Sequence, residues 1–374
     1  MDASALWEPY EHYRTMRANK PVSQDDQGIW HVYRHADVLR VCTDFQTFSS
    51  QYAFGRNLLG ESMIRQDPPR HTRLRKLANQ AFTARRIALL APRITEIVDE
   101  LLDAVADRDG IDVIRDLASP LPVTVIAELL GIERERRAEF RRWANIFTSL
   151  GMRSPNEQEA RALGDMEAYF LNVIDKRRVE PGDDVLSSLV RAEADEGKLT
   201  TNELVSFCYL LFVAGLETTT NLIGNTVICL AHSPDVLERV RRDHSLVPAL
   251  IDETLRYLAP TQSNVRVTTA DVVLSGVPIA AGSRIMVWNA SANRDESAFD
   301  DPDRFDIDRD GTHTTFGHGI HFCLGSSLAR LEGKIAITAL LDRFPGRWRF
   351  PDEPLQRVSQ FFLCGVTSLP MRTA

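Results

Sequence analysis

One long apolar pattern, from Thr200 to about Ala231, constrains this chain more than any other stretch. Thr200-Thr201-Asn202-Glu203 fits a capping box, with Thr200 at the N-cap and Glu203 three residues on. At 1.5 Å per residue the helix it starts is roughly 45 Å long, enough to cross a whole domain. Its middle, Ala214-Gly215-Leu216-Glu217-Thr218-Thr219, breaks the rules for a buried helix. Glycine costs about 1 kcal/mol relative to alanine there. A buried carboxylate is costly unless paired or protonated, and threonine hydroxyls compete for the helix's own carbonyls. Either Glu217 faces solvent and the threonines back-bond, or the departure marks a functional site.

A second stretch is built around one cysteine: Phe316-Gly317-His318-Gly319-Ile320-His321-Phe322-Cys323-Leu324-Gly325. Leu328, Ala329, Leu331, Ile335, Leu340 and Leu341 then recur at helical spacing, so Cys323 ends a tight loop facing a helix start. Free N–H groups and a partial positive charge at that end favour thiolate over thiol. The glycines, Gly317 and Gly325 among them, let backbone approach something bulky and flat. Phe316 and Phe322 can pack on such a body, and His321 can reach an anionic group at its edge. A buried, inert cysteine in a glycine-rich turn is the plainer alternative. The first reading describes a thiolate ligand to haem iron.

The run fits Phe-x-x-Gly-x-His-x-Cys-x-Gly followed by Ala329-Arg330-x-Glu332. It thereby resembles the haem-binding loop of the cytochrome P450 haem-thiolate monooxygenases. Residues 214–219 are similar to that family's distal-helix motif, Ala-Gly-x-Asp/Glu-Thr-Thr. Glu253-Thr254-Leu255-Arg256 resembles its Glu-x-x-Arg signature, which joins a second arginine downstream. Arg304 is taken as that third member, with Arg309 as a second candidate.

The resemblance covers essentially the whole chain and implies a mainly α fold with a small β-rich part, one domain over residues 1–374 around a buried haem. The β-rich portions fall at roughly 20–35, 264–290 and 349–374, with a last strand at Val366–Leu369, and the helical body at roughly 65–260, including one helical pattern over 121–150, and at 324–343. The cofactor it implies is haem b with Cys323 as axial ligand. Dioxygen is the co-substrate, activated by two externally supplied electrons to oxidise a mostly apolar small molecule. The expected helix opens near Gly215, where Ala214 and Gly215 line the haem. Thr218 serves the bound oxygen and Glu217 relays protons. His71 and Arg75, four residues apart, would reach the haem propionates, as would Arg266; taken alone, the His71 region reads as a solvated basic face. The pocket walls would come from residues 51–64 and 148–160, Leu211 and Ala214, Gln262, Ser263 and Asn264, and the turn at Phe361, Phe362 and Leu363. Ferredoxin or flavodoxin with a reductase would bring electrons from NAD(P)H, docking near Arg73, Lys76, Arg330 and Lys334. A peroxide-driven enzyme and a haem sensor or carrier are the rivals, and the Glu217-Thr218 pair argues against both.

Composition agrees with that frame. The 374 residues are 44% hydrophobic and 26% charged, ample for a large core. A formal charge of −8 disfavours nucleic acid and anionic membranes as general partners. Cys42, Cys208, Cys229, Cys323 and Cys364 are scattered and odd in number, which argues against a disulfide framework or structural zinc and for a reducing compartment. The N-terminus shows no signal-peptide pattern, and no apolar run approaches the ~20 residues needed to span a membrane. A cytoplasmic protein is expected.

Overall fold

The computed structural model describes residues 4–52, 61–150, 154–194 and 197–373. They form two compact units. One comprises Met1–Tyr52, Val98–Ala118 and Thr218–Ala374; the other comprises Ala53–Ile97 and Ser119–Glu217.

The first unit holds a five-stranded sheet in the order Val22–Gln24, Trp30–Val32, Arg284–Val287, Asn264–Thr268, Phe48–Ser49. Trp30–Val32 pairs parallel with Arg284–Val287, Val287 opposite Val32, and the other neighbours are antiparallel. β-branched and aromatic residues suit this pleated surface. Val22, Val32, Phe48, Ile285 and Val287 bury a common core with Val38, Val41 and Cys42 from the helix His35–Thr43. Three further helices meet at Gly333: a Cβ there would lie 3.2 Å from Ile251 and 3.5 Å from Leu222. Gly333 thus lets Val247–Tyr257 and Ser326–Arg343 close on the long helix Thr201–His232.

The other unit holds helices Arg70–Ala81, Pro120–Leu129, Arg137–Leu150, Glu157–Val179 and Val185–Arg191 together with the long helix up to Glu217. Phe212 meets Phe140 edge-on at 5.0 Å and Tyr209 meets Phe170 at 5.7 Å. The capping box forms as expected: Glu203 N–H donates to Thr200 Oγ1 (3.2 Å) and Thr200 N–H to Glu203 Oε2 (3.0 Å). The same buried carboxylate pairs with Arg73 and, at 3.4 Å, with Arg70.

Four expectations need correction. The pattern over 121–150 is two helices, because Gly131 turns left-handed (φ +66°) and ends the first. The last strand is Pro370–Thr373, not Val366–Leu369. Asp112 takes up the earlier residues: it accepts from Leu369 N–H and Ser368 Oγ. The long helix runs unbroken from Thr201 to His232, so the expected opening at Gly215 does not interrupt it. By length and composition that helix is also apolar enough to cross a bilayer; its apolar stretch is mostly buried inside the protein.

Candidate functional site

The cysteine loop is shaped by two left-handed glycines, Gly317 (φ +69°) and Gly319 (φ +68°). Gly319 also lies against backbone, since a Cβ there would come within 2.8 Å of Cys42 O. Cys323 N–H donates to Phe316 O at 2.9 Å, which closes the loop. Gly325 follows as the N-cap of Ser326–Arg343, and Ala329 N–H donates to Gly325 O at 2.9 Å. Phe316, His321, Cys323 and Ala329 are all half-buried. Phe316 and Phe322 meet edge-on at 6.2 Å.

Cys323 differs from the other four cysteines, which are buried. Burial pushes the Cys208 thiol up to about 12 and Cys364 to about 11, and raises Cys229 as well. Those sulfurs are neutral and enclosed. Burial likewise raises Cys42, opposed by the nearby Arg266 guanidinium. Arg266 is itself buried and donates to Val265 O at 2.8 Å. Arg266 and the loop therefore converge on Cys42. A half-exposed thiol just before a helix start, in a loop whose backbone is closed on Phe316, fits a haem iron; no other cysteine here does.

The remaining candidates are placed as follows. Glu217 and Thr218 sit half-buried at mid-length of the long helix, with Ala214 exposed and Leu211 buried. Gly215 has a packing reason of its own: a Cβ would lie 3.0 Å from Ile126 Cδ1. His71, 2% exposed, and half-buried Arg75 lie one turn apart on Arg70–Ala81. Residues 53–60 and 151–153, expected in the pocket walls, lie outside the described residues.

Two assignments change. Gln262 is fully buried with its amide committed to the fold: Oε1 accepts from Tyr13 OH (3.0 Å) and Nε2 donates to Ala259 O (2.7 Å). It holds the N-terminal helix rather than a substrate. Its N–H donates to Phe362 O at 2.8 Å, tying down the turn with exposed Phe361; Ser263 is buried and Asn264 half-buried. Arg304, expected as third member of the ion-pair network, is 68% exposed and turns to Asp306. Arg309 takes that place, 3.7 Å from Glu253 Oε1. Arg304 contributes only its carbonyl, which accepts from Arg256 Nη2 at 3.0 Å.

Sequence reasoning missed Asp252. Its Oδ1 accepts from Arg330 Nε at 2.7 Å, beside the loop. The available signal was its place next to Glu253, where successive helical residues point about 100° apart.

The family model for Cytochrome P450 matches residues 131–364. Cytochrome P450 107B1 of Saccharopolyspora erythraea is 47% identical over 326 residues, covering 84% of this chain and 78% of that protein. The 6-deoxyerythronolide B hydroxylase of the same organism is 44% identical over 322 residues, covering 85% and 79%. The crystal structure of substrate-free CYP109E1 from Bacillus megaterium superposes with a TM-score of 0.93 at 38% identity, over 98% of this chain and 99% of that one. The chain belongs to the cytochrome P450 family and has its fold. It is a monooxygenase whose cofactor is haem b with a thiolate ligand and whose co-substrate is dioxygen.

Proposed function

We propose that Cys323 is the thiolate ligand and that the enzyme hydroxylates, or otherwise oxidises, a mostly apolar small molecule. The observation that carries this is the exposure of Cys323 at a helix start while the other four thiols are buried. When bound, the haem supplies dioxygen binding and O–O cleavage, aided by electron donation from the thiolate. The rest falls to side chains. The Phe316 carbonyl fixes the Cys323 backbone. Thr218 offers a hydroxyl and Glu217 a carboxylate to bring in protons through water. His71, Arg75, Arg266 and His321 supply donors for the two haem carboxylates, and Ala214 and Gly215 keep the helix surface free of bulk.

An apolar substrate follows from the mostly apolar segments assigned to the pocket and from the relative named for hydroxylating 6-deoxyerythronolide B. Electrons come from a ferredoxin or flavodoxin with its reductase, and from NAD(P)H only through them. Of the four cations expected at the docking face, Arg73 and Arg330 are already in ion pairs, while Lys334 is exposed. The enzyme works in the cytoplasm, with neither membrane nor nucleic acid as a partner.

The test is the absorption spectrum of the reduced protein under carbon monoxide. Wild type should show the strongly red-shifted Soret band of thiolate-ligated haem, and Cys323→Ala should lose it. A band at the position of histidine-ligated haem in wild type would overturn the assignment. Turnover that needs ferredoxin, reductase and NAD(P)H separates the monooxygenase from a peroxide-driven enzyme.

A further inference from the structure

Asp252 and Glu253 stand side by side on Val247–Tyr257 and serve different segments. Glu253 is buried and holds the stretch around residues 304–309. Asp252 is half exposed and faces the cysteine loop. One of its oxygens, Oδ1, accepts from Arg330 Nε at 2.7 Å and lies 3.6 Å from His313 Nε2, near enough for an electrostatic contact but not a hydrogen bond. The tautomer is fixed from the other side. Thr315 N–H donates to His313 Nδ1 at 3.3 Å, so Nε2 carries the hydrogen that faces the carboxylate.

Both partners bear on a single ring. The Arg330 guanidinium carbon lies 4.6 Å from the centre of Phe316, and the His313 ring tilts against it at 5.4 Å. Phe316 is the residue whose carbonyl accepts from Cys323 N–H. A chain of contacts therefore leads from one carboxylate oxygen, through a cation and an imidazole, to the ring and backbone that hold the cysteine.

We propose that Asp252 is a positioning residue for the Cys323 thiolate, acting by fixing Arg330 and His313 against Phe316. This rests on the reading of Cys323 as the haem ligand. An arginine side chain is long and rotamer-rich, so it stays stacked on a ring only where something orients its plane, and a charge-assisted bond at Nε does so. Burial raises the Asp252 carboxyl, but His313 and Arg330 outweigh it and hold the group below the usual carboxylate range. The carboxylate is therefore charged at neutral pH. A scattered surface pair would not have a histidine only 6% exposed 3.6 Å from the same oxygen, with that histidine and the arginine both against one ring.

The experiment compares wild type with Asp252→Ala, Asp252→Asn and Asp252→Glu as haem-loaded proteins. It reads the ratio of thiolate-type to neutral-thiol-type bands of the reduced carbon monoxide complex near neutral pH, together with the haem reduction potential. Asp252→Ala should raise the neutral-thiol share several-fold and move the potential. Asp252→Glu should restore both, and Asp252→Asn, which keeps an acceptor for Arg330 without the charge, should fall between. A wild-type ratio and potential in Asp252→Ala overturns the proposal alone; if that variant does not hold haem, Asp252→Asn decides on the same readings. Absence of the thiolate-type band in wild type, or its survival in Cys323→Ala, overturns the reading of Cys323 and this proposal with it.

Discussion

Arg256 grips Glu253 with two parallel bonds of 2.7 Å, from Nε to Oε2 and from Nη2 to Oε1, and both side chains are 4% exposed. The guanidinium also donates to the carbonyls of Asn293, Pro302 and Arg304. Removing one partner of such a buried pair leaves the other charge uncompensated. Arg256→Ala should cost about 3–5 kcal/mol in denaturant unfolding. Arg256→Lys should recover little, because an ammonium cannot reproduce the planar fork.

The two downstream arginines should separate cleanly. Arg304→Ala removes an exposed side chain and should change stability by less than about 0.5 kcal/mol. Arg309→Ala should cost more, about 1–3 kcal/mol, since Glu253 loses a cation and the carbonyls of Asp300 and Asp301 lose donors. Paired thermal melts decide it; equal losses would mean that Arg309 is not the third member of the network.

Glu332 supplies a pH test. It is 2% exposed on Ser326–Arg343, and burial pushes its carboxyl up to about 8. The folded protein therefore holds a proton that the unfolded chain, at an ordinary carboxylate value, has released. That contribution is fully present below about pH 4.5, shrinks as pH rises, and is gone above about pH 8, at a limiting slope of about 1.4 kcal/mol per unit. Glu332→Gln cannot ionise and lacks this slope, so its stability relative to wild type should climb between pH 5 and pH 8. Parallel pH profiles for the two proteins would show that Glu332 is not buried neutral.

Gly365 should tolerate nothing larger. A Cβ there would lie 2.1 Å from Asn221 Oδ1 and 2.4 Å from its Cγ, and Asn221 is itself buried in the long helix. The next turn is fixed too, with Asn225 Nδ2 donating to Leu258 O and Cys364 O. Gly365→Ala should cost about 1–3 kcal/mol by overpacking, read from the unfolding midpoint. A midpoint equal to wild type would show that the Asn221 side chain can swing aside.

The long helix and its cap were legible because each rests on residues close in sequence: Thr200 and Glu203 specify each other whatever surrounds them. The cysteine loop was legible for the same reason, as its glycines and rings are contiguous. What escaped depends on partners far along the chain. Whether Arg304 or Arg309 reaches Glu253 is decided by how residues 300–309 turn, and both residues fit the local pattern. Gln262 reads as a polar anchor until Tyr13, from the N-terminal helix, takes up its amide. The final strand shifted because Asp112 captures Ser368 and Leu369, a long-range bond that no local alternation of residues encodes.

The parallel pairing of Trp30–Val32 with Arg284–Val287 has a consequence for how the molecule is made. These strands leave the ribosome far apart in time. Until residues 284–287 emerge, the N-terminal hairpin has no sheet to join, and a lone two-stranded hairpin is marginal in water. Strands synthesised well before residues 284–287 are thus among the last to be seated. Non-local pairing of this kind slows folding and leaves an apolar edge open to other chains in the interval. Recovery of folded enzyme should therefore depend on what shelters that nascent hairpin as much as on the stability of the finished protein.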